Sequence, residues 1–154
     1  MSVEAGNKAP DFTAVTDGGN KIKLSDLRGK PIVLYFYPKD DTSGCTAEAC
    51  GFRDNAAAFK KLKGQVIGVS KDSVASHDKF KKKYDLNFPL VSDGDGKICD
   101  KYGTWVQKSL YGRKYMGIER ATFLIDKEGV IAKAWHKVKV AGHVAEVAEA
   151  LKAL

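Results

Sequence analysis

Pro31-Ile-Val-Leu-Tyr-Phe-Tyr37, continuing into Pro38-Lys-Asp-Asp-Thr42-Ser-Gly-Cys45-Thr-Ala-Glu48-Ala-Cys50, is the stretch on which the fold turns. Its first seven residues are continuously apolar and rich in β-formers, which is how a strand covered on both faces reads. The strand ends at Pro38 and a short polar loop follows. Over residues 42–63 the sequence predicts a loop feeding one long helix. Ala49, Phe52, Ala56 and Phe59 recur at spacings of three and four and give that helix a single apolar face, with Gly64 as its expected stop.

Working outward, residues 65–70 read as a second buried strand. Residues 73–84 read as a helix with Ser73 as N-cap and with His77, Phe80 and Tyr84 on one side. A short strand over 88–92, a turn at Asp93-Gly-Asp95-Gly96 and a short helix over 97–102 come next. Upstream, residues 12–16 and 21–24 flank Asp17-Gly-Gly-Asn20 as a hairpin. Downstream, residues 120–126 and 130–135 form another hairpin around Lys127-Glu-Gly129. The last helix carries Val144, Val147, Ala148 and Leu151. Residues 105–118 resist assignment, interrupted by Gly112 and Gly117. This order predicts one α/β domain over residues 1–154: a central mixed sheet with helices on both faces and an N-terminal β-hairpin, in the manner of a thioredoxin-like fold.

A chain of 154 residues with 44% hydrophobic and 29% charged residues is globular in composition and fits one domain. No stretch approaches the roughly 20 apolar residues of a membrane span. The N-terminal Met1-Ser-Val-Glu-Ala-Gly6 has neither the basic nor the apolar part of a secretory signal, so a cytoplasmic location is expected. Three cysteines, an odd number, do not make a disulfide scaffold. The net charge of +7 raises nucleic acid as a partner, but only four of the 26 basic residues are arginine and the lysines are dispersed, which argues against it.

Cys45 falls in the first turn of the predicted helix. The unpaired N–H groups and the positive dipole end there favour an anion, so the position lowers a thiol pKa. Thr42, three residues earlier, places a hydroxyl within reach of the sulfur or of the atom it attacks. Pro38, which has no N–H, can wall one side of the thiolate from water.

Pro38, Thr42 and Cys45 match P-x-x-x-T-x-x-C, and the segment resembles the active-site motif of the peroxiredoxin family. The Tyr35-Phe-Tyr-Pro38, Gly44-Cys-Thr46 and Glu48-Ala-Cys50 strings are similar to its Q subgroup, also called bacterioferritin comigratory protein. The likeness runs from Gly6-x-x-Ala9-Pro10-Asp11-Phe12 to the end of the chain. It implies the peroxiredoxin variant of the thioredoxin-like fold and a thiol peroxidase acting on hydrogen peroxide and organic hydroperoxides. Cys45 is then the peroxidatic cysteine, Thr42 holds the peroxide or the thiolate, and Arg120, opening a later strand, stabilises the moving charge. Glu48 matches a glutamate common in the family. Cys50 is implied as the resolving cysteine, with Cys99 as an alternative. Thioredoxin or a similar dithiol protein is the implied reductant, no cofactor or metal is required, and the chain is expected to be a monomer. Residues five apart on an ideal helix have Cα atoms about 8–9 Å apart and point to different sides, whereas a disulfide needs them within roughly 7 Å. A Cys45–Cys50 bond therefore requires the turns after Gly44 to unwind.

Plainer roles exist for each residue. Cys50 and Cys99 can be packing residues, Thr42 an N-cap, Glu48 a complement to the helix dipole, and Arg120 a partner of Glu119. His77 reads as a partly buried helix residue, His136 and His143 as surface residues, and Trp105, Tyr111, Tyr115 and Trp135 as core or pocket wall. Two other functions compete. A disulfide oxidoreductase is disfavoured because the spacing is C-x₄-C rather than C-x-x-C, and a holdase or nucleic-acid-binding protein would have to use the dispersed lysines.

Overall fold

The computed structural model describes residues 3–154; Met1 and Ser2, which begin the N-terminal stretch read above, lie outside it. In chain order the elements are β1 (Thr13–Thr16), β2 (Lys21–Lys23), β3 (Ile32–Phe36), α1 (Ser43–Asp54), α2 (Ala56–Lys61), β4 (Gln65–Ser70) and α3 (Val74–Tyr84). They continue with β5 (Leu90–Ser92), α4 (Lys97–Tyr102), β6 (Trp105–Leu110), β7 (Arg113–Ile118), β8 (Ala121–Ile125), β9 (Ile131–Trp135) and α5 (His143–Lys152). Among the described residues, seven strands form one mixed sheet in the order β2-β1-β5-β4-β3-β8-β9. β3 runs parallel to β4 and antiparallel to β8 near its centre.

β3 explains why the sheet has two cores. All five of its residues are buried, and alternate side chains point to opposite faces. Ile32, Leu34 and Phe36 join one core with Cys99 and Tyr102 of α4 and with the N-terminal Ala9 and Phe12. Val33, Tyr35 and Tyr37 join the other, with Cys45, Ala49 and Phe52 of α1, Phe59 of α2, Phe80 of α3 and Val147 of α5. Helices do cover both faces, but unequally, with α4 and the N-terminal segment on one side and the other four helices opposite. Burying each large side chain contributes about 1.5–3 kcal/mol, so the continuous apolar run is the main anchor of both layers.

Three expectations change. The single long helix over 42–63 is two helices, broken at Asn55, whose side-chain nitrogen donates to the Gly51 carbonyl at 2.8 Å. The left-handed stop falls on Lys63 (φ 61°) rather than Gly64. Gly64 instead makes room for α5, since a Cβ there would lie 2.5 Å from Leu151 Cδ2. Residues 105–118, left unassigned by the sequence, form a separate two-stranded sheet of β6 and β7. Tyr111 and Gly112, at φ 51° and 77°, make its two-residue turn, as turns with two left-handed residues do in tight hairpins. Tyr111 at that tip is 97% exposed and Tyr115 is also exposed, so neither is core or pocket wall.

Candidate active site

The turn from β3 into α1 and the entry to β8 meet because β8 runs antiparallel to β3. Phe36 faces Ala121 across the ladder, so Arg120 arrives where β3 ends and the loop to α1 begins. Sequence separation of 75 residues thereby becomes contact: Arg120 Nη2 donates to Cys45 Sγ at 3.3 Å. Its other arm, Nη1, donates to Glu48 Oε1 at 2.7 Å. Gly44 matters to this contact. A Cβ at that position would lie 3.1 Å from Arg120 Nη2, so glycine before the cysteine leaves the guanidinium its berth.

Cys45 is the third residue of α1 and is 1% exposed. Thr42 occupies the N-cap position, yet its hydroxyl does not cap; it donates to the Lys39 carbonyl at 3.0 Å. The first turn of α1 is therefore left without a side-chain cap, and its N–H groups keep their pull on an anion. Pro38 is half-buried and Thr42 exposed at the start of this turn.

Glu48 is completely buried and Arg120 largely so, and Glu48 Oε2 has no hydrogen-bond partner among the described residues. Burial pushes the Glu48 carboxyl up to about 7, with the Arg120 charge and hydrogen bond pulling it down without overcoming that cost. Arg120 thus pairs with Glu48 and not with Glu119, the plainer partner that the sequence offered. Glu119 instead lies 3.6 Å from His136.

The other two cysteines separate clearly. Cys50 is half-buried on α1 itself. Cys99 lies in the core on the opposite face of the sheet from Cys45. Burial, reinforced by the neighbouring Asp93 carboxylate, pushes the Cys99 thiol far up. Asp93 meanwhile accepts the Ile98 and Cys99 N–H groups at 3.1 and 2.8 Å, so the Asp-Gly-Asp-Gly segment is a helix-capping turn. A buried, protonated thiol is a poor nucleophile. In the native reduced protein at neutral pH, Cys99 is expected to resist alkylation by iodoacetamide at least about tenfold better than Cys45, as peptide mass spectrometry over a time course would read out.

The sequence misplaced His143 at the surface and understated the burial of His77. His143 is buried, with Nε2 2.8 Å from the Thr122 hydroxyl, and burial lowers its pKa. His77 is fully buried and hydrogen-bonded to Asp40 and to the Val91 carbonyl. Asp40, Asp72 and His77 form the one cluster of three candidate metal-binding side chains found among the described residues. Both ring nitrogens of His77 and the Asp72 Oδ2 are taken up by protein hydrogen bonds, so the cluster is a hydrogen-bond network. A groove of about 590 Å³ lined by Phe52, Phe59, Val66 and Phe88 does not include the cysteine.

The AhpC/TSA family matches residues 5–134. The chain belongs to that family. This peroxiredoxin is 59% identical to a putative peroxiredoxin Bcp of Coxiella burnetii, over 96% of this chain and 97% of that protein. It is 53% identical to peroxiredoxin Bcp of Bacillus subtilis, over 99% and 97%. Among solved structures it superposes on the Xanthomonas campestris bacterioferritin comigratory protein, for which alkyl peroxide reduction activity is described. The TM-score there is 0.91 at 44% identity, covering 97% and 98% of the two chains. A Xylella fastidiosa PrxQ variant gives a TM-score of 0.94 at 39% identity, over 99% and 98%. The thioredoxin-like fold expected from the order of elements, in the peroxiredoxin variant that the resemblance implied, is thus the one this peroxiredoxin has, and its activity class is peroxide reduction. No helix of the described residues is long and apolar enough to cross a membrane.

Proposed function

We propose that the protein is a two-cysteine thiol peroxidase in which Cys45 is the peroxidatic residue and Cys50 resolves it. The observation that carries this reading is the guanidinium of Arg120, which reaches Cys45 Sγ at 3.3 Å while its other arm is anchored on buried Glu48. A charge-assisted hydrogen bond of this kind is stronger to a thiolate than to a thiol, and it lies on the side where the breaking O–O bond places charge. The Cys45 thiolate attacks one peroxide oxygen. The O–O bond breaks, an S–O bond forms, and the departing oxygen takes a proton and leaves as water or an alcohol. The sulfur, oxidised by two electrons, becomes a sulfenic acid. Thr42 and the uncapped first turn of α1 orient the peroxide, and Pro38 shields the sulfur.

The Cys50 sulfur then attacks the sulfenic sulfur, forming the disulfide and releasing the hydroxyl as water. Both cysteines sit on one helix in the reduced protein, so this step needs α1 to unwind from its first turn. The missing side-chain cap and Gly44, in the first turn of α1, make that turn comparatively easy to open. Cys99, across the sheet, is a packing residue. A thioredoxin-like dithiol protein returns two electrons and restores both thiols. Hydrogen peroxide and organic hydroperoxides are the substrates, and the alkyl peroxide reduction described for the Xanthomonas relative supports the latter. A monomer in the cytoplasm, where dithiol reductants are kept reduced, completes the reading.

The test is peroxide consumption coupled to thioredoxin and its reductase, followed by mapping of the oxidised protein. One equivalent of peroxide is expected to give a Cys45–Cys50 linkage with Cys99 still a thiol. A Cys45–Cys99 link, or no intramolecular link at all, would overturn the resolving role of Cys50.

A further inference from the structure

A buried charge pair beneath the loop that carries Pro38 and Thr42 has no part in the chemistry above. His77 points Nε2 at the Val91 carbonyl of β5, at 2.9 Å, and Nδ1 at Asp40 Oδ2, at 2.7 Å. A carbonyl oxygen only accepts, so Nε2 carries a hydrogen; the carboxylate asks the same of Nδ1. The geometry thus favours an imidazolium ring facing the Asp40 carboxylate. Asp40 also accepts from the hydroxyl of Tyr37, the residue after β3, at 2.6 Å and from the Ser76 hydroxyl at 2.8 Å. Its own N–H donates to Asp72 Oδ2 at 2.8 Å, an oxygen that the Ser70 hydroxyl of β4 also reaches at 2.6 Å.

The next loop residue is held by the same helix. Asp41 sits at φ 58°, in the left-handed region that aspartate enters more readily than most residues with a Cβ. Lys83 and the Tyr84 hydroxyl, both on α3, grip its carboxylate at 2.8 and 2.6 Å. Two successive residues are thus tied to α3, the third is Thr42, and Cys45 is one helical turn further on. Burial opposes charge on His77, but the hydrogen bond and field of Asp40, with Asp72 behind it, outweigh that and raise its pKa. The remaining charges on elements packed against α3 are satisfied elsewhere. Asp17 pairs with Lys81 and accepts the Leu90 N–H, and Asp78 accepts the Gly18 N–H.

We propose that His77 is a positioning residue for the peroxidatic step: as an imidazolium it pins Asp40, and through Asp40 it fixes the 38–42 turn from which Thr42 and Cys45 open α1. The inference rests on the thiol peroxidase reading. It also gives the moving part of the cycle a fixed hinge, because a loop anchored at residues 40 and 41 confines unwinding to the chain after Thr42. The sign of the pH dependence follows. A raised histidine pKa means that the clamp is whole at lower pH and is lost as pH rises through the folded value. Reactivity of Cys45 with peroxide should therefore decline on the alkaline side of its profile, where thiolate formation alone would leave a plateau.

The experiment is stopped-flow oxidation of the reduced protein by hydrogen peroxide from about pH 5 to 9, together with carbon-13 NMR of the His77 ring. The wild type should show His77 doubly protonated at pH 7 and a rate that falls as the ring titrates. His77→Gln and Asp40→Asn should each slow Cys45 oxidation about tenfold, the scale of a small misplacement, and should lack the alkaline decline. Ser76→Ala, which removes a neutral donor from the same carboxylate, should keep the decline. If neither charge variant folds, the wild-type profile and the His77 titration still decide. A wild type no faster than a small free thiol removes the peroxidase reading and this inference with it. A fast wild type whose His77 is neutral at pH 7, whose profile has no alkaline limb, or whose rate and profile are matched by His77→Gln overturns the inference alone.

Discussion

Cys45→Ser is expected to reduce peroxide turnover by at least about 10³-fold, leaving nothing measurable above the uncatalysed background. The reason lies in the element, because the surroundings barely change. Serine is close to cysteine in shape, Cys45 is buried, and a serine hydroxyl can take up the Arg120 Nη2 hydrogen bond that the sulfur receives at 3.3 Å. Stability should therefore shift by no more than about 1 kcal/mol, which thermal denaturation would read. What disappears is the nucleophilic sulfur that can be oxidised to a sulfenic acid. The measurement is peroxide loss with a saturating reductant, alongside trapping of sulfenic acid by a cyclic dione reagent. Turnover at the wild-type rate would mean that the oxidised atom is not Cys45, and Arg120 would then be only a structural ion pair.

How far the sequence alone reaches depends on the range of the interaction. Local features were legible. The apolar run over 31–37 has the pattern of a strand buried on two faces, and β3 is that strand. Cys45 reads from its neighbours as a first-turn residue, and it is one. Arg120 was found only through likeness to a family, since nothing in the residues around it says that it will meet a cysteine 75 positions earlier. The antiparallel register of β3 and β8 supplies that fact. The same limit explains His77. Its place on the apolar side of α3 hinted at burial, and a buried imidazole needs partners, but the partners lie 37 residues back in a loop and across on another strand. The break at Asn55 was missed for another reason. Apolar spacing of three and four continues through it, so the periodicity carried no sign that the helix restarts. The β6–β7 hairpin was obscured because its strands stand outside the main sheet with mixed exposure, so neither alternation nor a continuous apolar run marks them.

Arg120→Ala should slow the reaction of Cys45 with peroxide by about 10²–10³-fold, the usual cost of removing one donor aimed at developing charge. It should also destabilise the fold, because the buried Glu48 carboxyl would lose its hydrogen-bond donor and stay protonated; leaving a buried polar group unsatisfied costs about 1–3 kcal/mol. The two effects can be pulled apart. Glu48→Gln combined with Arg120→Ala removes the stranded carboxyl, so stability measured by urea unfolding should largely return while the rate stays low. The pH dependence offers an independent handle. The Glu48 carboxyl sits at about 7 in the folded protein, above the ordinary carboxylate range, so the folded chain keeps a proton that the unfolded chain gives up. Its contribution to stability is therefore greatest at low pH. That contribution falls as pH rises from the ordinary carboxylate range to about 7 and is constant beyond. Glu48→Gln should flatten that slope. Arg120→Ala should extend it to higher pH, since the guanidinium is what pulls the Glu48 carboxyl down. An Arg120→Ala protein that oxidises within twofold of the wild-type rate would show that Arg120 serves Glu48 alone, and the stabilisation of charge at Cys45 would have to come from the open first turn of α1.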